Sequence, residues 1–186
     1  MTVNTTVTTS TSHYPSAPSA QRTETHTLSV LVDNEPGVLA RVIGLFSGRG
    51  YNIDSLTVSE TEHQKHLSLI TIVTTGTPMV IEQIKNQLDR LVPVHHVADL
   101  TLKGDALERE LALVKVAGSG DKRVEALRLA SAFGARTLDA SLTSFVFELT
   151  GTTDEIERFI RVMTDVGLVE VPRTGIVAIA RGAEGM

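Results

Sequence analysis

The sequence predicts an α+β fold of two tandem βαββαβ units, each a four-stranded antiparallel sheet with two helices on one face. Three observations carry this. Short apolar runs with strand character and longer runs with helical spacing follow one another in the same order twice. Proline, glycine and capping residues stand where one pattern gives way to the other. A short segment, residues 103–107, separates the two rounds as a linker.

The first round occupies residues 25–102. His26 to Val32 reads as a strand. Val38, Leu39, Val42, Ile43, Leu45 and Phe46 recur at helical spacing, and that helix stops near Gly48 and Gly50, where a left-handed cap is available. Tyr51 to Ser59 and His66 to Thr75 are strands around a polar turn, Glu60 to Lys65. Thr77-Pro78 opens the second helix with proline at its first position, and its inward stripe is Ile81, Ile84, Leu88 and Leu91. Val94 to Leu102 is the fourth strand.

The second round occupies residues 108–182. Glu110 to Val116 is a strand, and Asp121 to Phe133 a helix with Val124, Leu127 and Ala130 facing inward. Thr137 to Ala140 and Ser144 to Thr150 are strands. Thr152 and Glu155 form a capping box ahead of the stripe Ile156, Phe159, Ile160 and Met163, and Gly167 ends that helix. Leu168 to Val171 and Ile176 to Ala180 supply a closing strand interrupted at Pro172.

One strand does not fit a half-solvated sheet. In His66 to Thr75 one alternation gives Leu67, Leu69 and Val73, and the other gives Ser68, Ile70 and Ile72. Both faces are apolar, where an antiparallel strand with one wet face should alternate. The second face needs a cover. Another copy of the chain is the economical one, and the alternative is that the second unit covers the first.

Composition narrows the function. The chain has 186 residues, 41% apolar and 21% charged, with a net charge of −5. That balance gives no reason to expect a nucleic-acid partner. The absence of cysteine removes disulfides, thiolate nucleophiles and cysteine-type zinc sites. No run approaches the ~20 apolar residues needed to span a bilayer, so no membrane partner is expected. Residues 1–24 are rich in Thr, Ser, Pro and Ala, without an acid before Glu24 and with Arg22 as the only Lys or Arg. The expectation is a disordered tail on a cytoplasmic, bacterial protein, organellar only if the tail is a transit peptide.

Catalytic constellations are scarce. His63 and His66 flank a turn, and the adjacent His95 and His96 point to opposite sheet faces, which argues against a metal site. Nucleophile elbows, Walker loops and dinucleotide glycine patterns are absent. Asp54, Glu60 and Glu62 show no paired arrangement for acid–base work. Arg41 and Arg49 fall on the exposed side of their helix. Gly118-Ser119-Gly120 sits between a strand and a helix and reads either as an anion cradle or as a flexible turn.

The first strand-to-helix junction, Asp33-Asn34-Glu35-Pro36-Gly37-Val38-Leu39, is richer. Asp33 and Asn34 are natural N-cap residues. Gly37 removes a side chain where backbone N–H groups have no helical partner, and those donors at the positive helix end suit a carboxylate. Glu35 opposes this unless it points to solvent. On spacing alone the segment reads first as a capped helix start with a Pro-Gly turn.

Leu28 to Leu39 resembles the opening of an ACT domain, a small-molecule sensor with the ferredoxin-like βαββαβ order. The continuation Arg41-Val42-Ile43-Gly44-Leu45-Phe46-Ser47-Gly48-Arg49-Gly50-Tyr51-Asn52-Ile53-Asp54-Ser55-Leu56-Thr57-Val58 resembles the acetolactate synthase (acetohydroxyacid synthase) small-subunit family. The likeness runs on through Glu110 to Val116 and the C-terminal Arg173 to Gly182. It implies a homodimer whose sheets join and whose helices pack side by side. It also implies a branched-chain amino acid, usually valine, at the interface of two ACT domains. Asn34, Gly37, Val38 and Leu39 match the family's loop and helix start, and Asn52 and Ile53 match the positions supplied by the partner chain. Backbone donors near Gly37 would take the carboxylate, the Asn34 and Asn52 amides the polar groups, and apolar walls the side chain. Burying that side chain is worth ~1.5–3 kcal/mol.

The resemblance further implies a non-catalytic subunit that activates a large catalytic subunit and confers feedback inhibition in branched-chain amino acid biosynthesis. Thiamine diphosphate, FAD and Mg2+ are expected in that large subunit and no cofactor in this chain. Three features depart from the family: the long Thr/Ser-rich tail, Pro172 in the closing strand, and the lack of a second Asn-Glu-x-Gly segment. Other proteins share the βαββαβ order. RNA binders need aromatics on central strands, and His66 to Thr75 has none. Acylphosphatase-like enzymes need an arginine in the first loop, where Glu35 stands here. A free-standing amino-acid sensor acting on another partner is the remaining alternative.

Overall fold

A computed structural model describes residues 22–62, 66–102, 106–183 and 185. The tail through residue 21, His63 and most of the expected linker lie outside them. The first unit runs β1 (Glu24–Asp33), α1 (Val38–Arg49), β2 (Ser55–Glu62), β3 (Leu67–Gly76), α2 (Pro78–Leu88) and β4 (Val94–Asp99). The second runs β5 (Ala106–Ala117), α3 (Asp121–Ala132), β6 (Arg136–Ala140), β7 (Ser144–Gly151), α4 (Thr153–Val166), β8 (Leu168–Glu170) and β9 (Val177–Ala180). The sheets are antiparallel, in the orders β2-β3-β1-β4 and β6-β7-β5-β8, so the α+β tandem is as the sequence predicts.

Each sheet buries one face under its two helices. In the first unit Leu28, Val30, Ile70 and Ile72 pack with Val42 and Phe46 of α1 and with Ile81, Ile84 and Leu88 of α2. In the second, Val114, Val116 and Phe147 pack with Ala126 and Ala130 of α3 and with Ile156, Phe159 and Met163 of α4. The capping box is present: Glu155 N–H donates to Thr152 Oγ1, and Thr152 N–H donates to Glu155 Oε2 at 2.7 Å.

Several boundaries move, each for a local reason. The strand expected from Tyr51 begins only at Ser55, because Tyr51 to Asp54 form a bend off the end of α1. Tyr51 N–H donates to Phe46 O there, and the two rings pack edge to face at 6.1 Å. β4 stops at Asp99, whose carboxylate accepts the Thr101 and Leu102 N–H groups and turns the chain. β5 starts at Ala106, so Ala106 and Leu107 belong to a strand rather than to the linker. Of the inward face expected for α3, Ala130 is buried as predicted, but Val124 and Leu127 are not. Ala126 and Ala130 are buried, whereas Val124 is 67% and Leu127 41% exposed. Too few large apolar residues mark that helix for sequence spacing to fix its rotation.

The second apolar face of the first sheet is covered in part from within the chain. Ala98, Ser29, Thr71 and Thr57 pair across β4, β1, β3 and β2 and form one row of small residues on the side away from the helices. Ala178 of β9 packs with Ala98 and Leu100, and Ile176, Ala180 and Ala106 join them. Beyond this row the face continues through Leu31 and Leu69, both half-buried. The closing strand is interrupted around Pro172, as predicted: β8 ends at Glu170 and β9 begins at Val177. β8 pairs the far half of β5 and β9 the near half, and Pro172 O accepts the Leu113 N–H between them.

Candidate functional site

The junction after β1 differs from its expected form in a way that matters. Asp33 is not the cap: its carboxylate pairs with His95 Nε2 at 2.6 Å. Asn34 is not the cap either, though its N–H donates to His66 O at 2.7 Å. Residues Glu35 to Val38 form a turn closed by Val38 N–H on Glu35 O at 3.3 Å. Pro36 then Gly37 at φ 90°, ψ −8° is type II geometry, whose third residue must be left-handed. Gly37 becomes the N-cap of α1 and offers no side chain to the helix start. The first helical bond is Arg41 N–H to Gly37 O at 3.1 Å. Among the described residues nothing meets the Leu39 or Ala40 N–H, and nothing lies within 4 Å of where a Gly37 Cβ would sit. The first turn of α1 carries no acid, and Glu35 is exposed without an ion pair among the described residues. The result is an open pair of donors at the positive end of a helix.

Asn34 is exposed beside this opening, Val38 is buried in the core, and Leu39 is 37% exposed. Asn52 and Ile53 lie elsewhere, in the bend after α1. Asn52 Nδ2 donates to Asp54 Oδ1 at 2.5 Å, and Asn52 O accepts Thr74 Oγ1 at 2.6 Å. Asp54 is held in turn by Thr75 Oγ1 at 2.8 Å and by its own N–H on Val73 O. Ile53 packs on the edge of the core. Asp54, Thr74 and Thr75 thus shape this half of the site. Thr74 and Thr75 carry no sequence signal beyond ending a strand.

The predicted residues are not brought together within one chain. Asn34 sits by His66 at the start of β3, and Asn52 by Thr74 near its end. Seven residues of strand separate those ends by roughly 23 Å. The 12-residue α1 spans the same gap, ~18 Å along its axis.

Two other features have structural roles. His26 is not solvated: it is 5% exposed and bonds Asp99 Oδ2 through Nδ1 at 2.9 Å. No cluster of three metal-ligating side chains occurs among the described residues. Gly118 N–H donates to Thr143 O, and the loop around it packs on the end of α4.

Residues 28–96 match the family model described as the AHAS small subunit-like ACT domain, and residues 109–182 match that of the small subunit of acetolactate synthase. A probable acetolactate synthase small subunit of Archaeoglobus fulgidus is 46% identical over 84% of this chain and 97% of its own. The acetolactate synthase small subunit of Mycolicibacterium smegmatis is 42% identical over 88% and 95% respectively. The crystal structure of the acetolactate synthase small subunit from Thermotoga maritima superposes with a TM-score of 0.79 at 38% identity, covering 87% of this chain and 99% of that one. With both units matched and nearly the whole length of these relatives spanned, the chain belongs to the acetolactate synthase small-subunit family.

Proposed function

We propose that this chain is the regulatory subunit of acetolactate synthase. It joins the large catalytic subunit, activates it, and confers feedback inhibition by valine or another branched-chain amino acid bound between two ACT domains. Thiamine diphosphate, FAD and Mg2+ belong to the large subunit in this reading.

The observation that carries it is the division of the site between the two ends of α1. The donors at Leu39 and Ala40 and the Asn52–Ile53 bend cannot reach one ligand from the same chain. A second copy with its α1 antiparallel sets the helix start of one protomer beside the bend of the other. The flank of the first unit suits that arrangement. Leu39 and Ile43 on α1 and Val58 on the edge strand β2 are 37%, 37% and 45% exposed, an apolar strip along the side where a second β2 would pair. The ligand carboxylate then meets the open N–H groups and its branched side chain meets Leu39 and the partner's Ile53. A ligand touching both chains biases their arrangement, and the catalytic subunit senses that bias.

Calorimetry with valine, leucine and isoleucine tests this on the wild type and Asn34→Ala. Asn34→Ala is expected to weaken binding about tenfold, one charge-assisted hydrogen bond. Unchanged affinity removes Asn34 from the site. Sedimentation of Ile43→Glu is expected to show monomers, and an intact dimer removes the α1 flank from the interface.

A further inference from the structure

The two units of the chain touch through a small, specific contact two residues from the Asn52–Ile53 bend. Ile176 N–H donates to Ser55 Oγ at 2.9 Å, and Thr57 Oγ1 donates to Ile176 O at 3.0 Å. Side chains of β2 thereby satisfy both backbone groups of one residue in the other unit. The approach is close because residue 175 is glycine. A Cβ there would stand 2.8 Å from Ser55 Oγ and 3.1 Å from Thr57 Cγ2, and φ of +83° is a conformation other residues rarely adopt.

The turn is fixed on its own side before it reaches β2. Arg173 bonds both oxygens of buried Glu110 and also reaches Glu157. Thr174 N–H donates to Leu111 O, and Leu111 N–H returns to Thr174 Oγ1 at 3.1 Å. On the far side Ser55 follows directly on Asn52-Ile53-Asp54, whose bend is held by contacts of Asp54, Thr74 and Thr75 and by the Asp54 N–H on Val73 O. A cleft of about 950 Å³ lined by Asp54, Thr75, Glu108 and Arg173 opens beside the contact, so the units are not packed solid there.

We propose that the Arg173–Ile176 turn is a positioning element for the effector half-site: by holding Ser55 and Thr57 it sets where Asn52 and Ile53 stand, and couples the C-terminal unit to effector occupancy. This rests on the effector reading above. Linkage makes the coupling reciprocal, so a ligand that immobilises Asn52 also tightens the turn. Neither Ser55 nor Thr57 touches the ligand in this scheme.

The test uses the full chain. Thr57→Val and Ser55→Ala remove one hydrogen bond each with little change of shape, and Gly175→Ala adds the clashing carbon. Thr164→Val, which loses only a bond to Ile160 O within α4, is the control. Amide exchange is read at Asp54, whose N–H is bonded to Val73 O, and valine affinity is read by calorimetry. Thr57→Val and Ser55→Ala are expected to speed exchange at Asp54 and weaken valine binding, each about fivefold or more, with the control at wild-type values. Wild-type exchange at Asp54 in both variants overturns the positioning role, and faster exchange with unchanged affinity overturns the coupling. A wild-type chain that binds no branched-chain amino acid refutes the effector reading instead, and the exchange measurement still decides whether the turn holds the bend.

Discussion

Arg173→Met should destabilise the chain far more than loss of an ordinary surface ion pair. Glu110 has a side chain only 3% exposed, and its two oxygens take Arg173 Nη2 at 2.5 Å and Nε at 3.2 Å. Hydrogen bonding to Glu110, and then to Glu157, holds the guanidinium above its already high range. Methionine keeps most of the apolar stem and removes the charge, leaving a buried carboxylate without its cation. Breaking a fully buried pair costs ~3–5 kcal/mol. Arg173 itself is 29% exposed, so water reaches one side of the site. The expected loss is therefore ~2–3 kcal/mol, a fall of about 1 M in the urea midpoint. The double variant Arg173→Met/Glu110→Met replaces both charges with apolar groups and should recover to within ~1 kcal/mol of wild type. A single variant within ~0.5 kcal/mol of wild type refutes the reasoning, because that is the range of an unremarkable surface change. A double variant as unstable as the sum of the singles refutes it too.

Two further outcomes are expected. Ser29→Ala should hold or raise stability, by up to ~1 kcal/mol in urea unfolding, because the Ser29 hydroxyl is buried with no partner among the described residues. Hydrogen bonds from Thr152, backbone first and then side chain, hold Glu155 below the ordinary carboxylate range. A depressed folded-state pKa stabilises above the unfolded value and loses that contribution as pH falls through the folded one. The stability difference between wild type and Glu155→Gln should therefore be constant at neutral pH, shrink below the ordinary glutamate value of about 4.3, and vanish at lower pH. A difference that persists undiminished in acid excludes the charged cap as its source.

The fold was legible where periodicity and punctuation agreed. Thr77-Pro78 and the Thr152–Glu155 box placed two helix starts correctly, because each signal acts on the backbone of its own turn. The phase of α3 was not legible, since its core contacts are the alanines Ala126 and Ala130 while the larger Val124 and Leu127 face out. Nor was the cover on the first sheet, which depends on Ala178 meeting Ala98 across about eighty residues of sequence. Local chemistry alone read the segment Asn34 to Leu39 as a capped helix start, and the family resemblance singled it out as a candidate site. Its caps were misassigned because His95, which occupies Asp33, is 62 residues away. That Asn52 lies at the opposite end of α1 follows only from the fold.

The two units differ in how they treat the start of their first helix. Both units enter their first helix through glycine, at Gly37 and at Gly120, and neither has a side-chain cap. In α3 the chain crowds its own helix start. Asp121 places a carboxylate in the first turn, Arg123 and Val124 N–H both reach Gly120 O, and the Arg123 side chain bonds Ser141 O and covers the Phe145 ring at 4.1 Å. A Cβ at Gly118 would meet Lys122 Cβ at 3.2 Å, so the loop is also closed sterically. In α1 the first turn has no acid, the carboxylate that could have capped it is held by His95, and no described residue lies within 4 Å of where a Gly37 Cβ would sit. The acid in its own first turn opposes an incoming carboxylate at α3, and α1 has no such acid. The repeated fold supplies two equivalent junctions, and a few residues around each glycine set how open its helix start is.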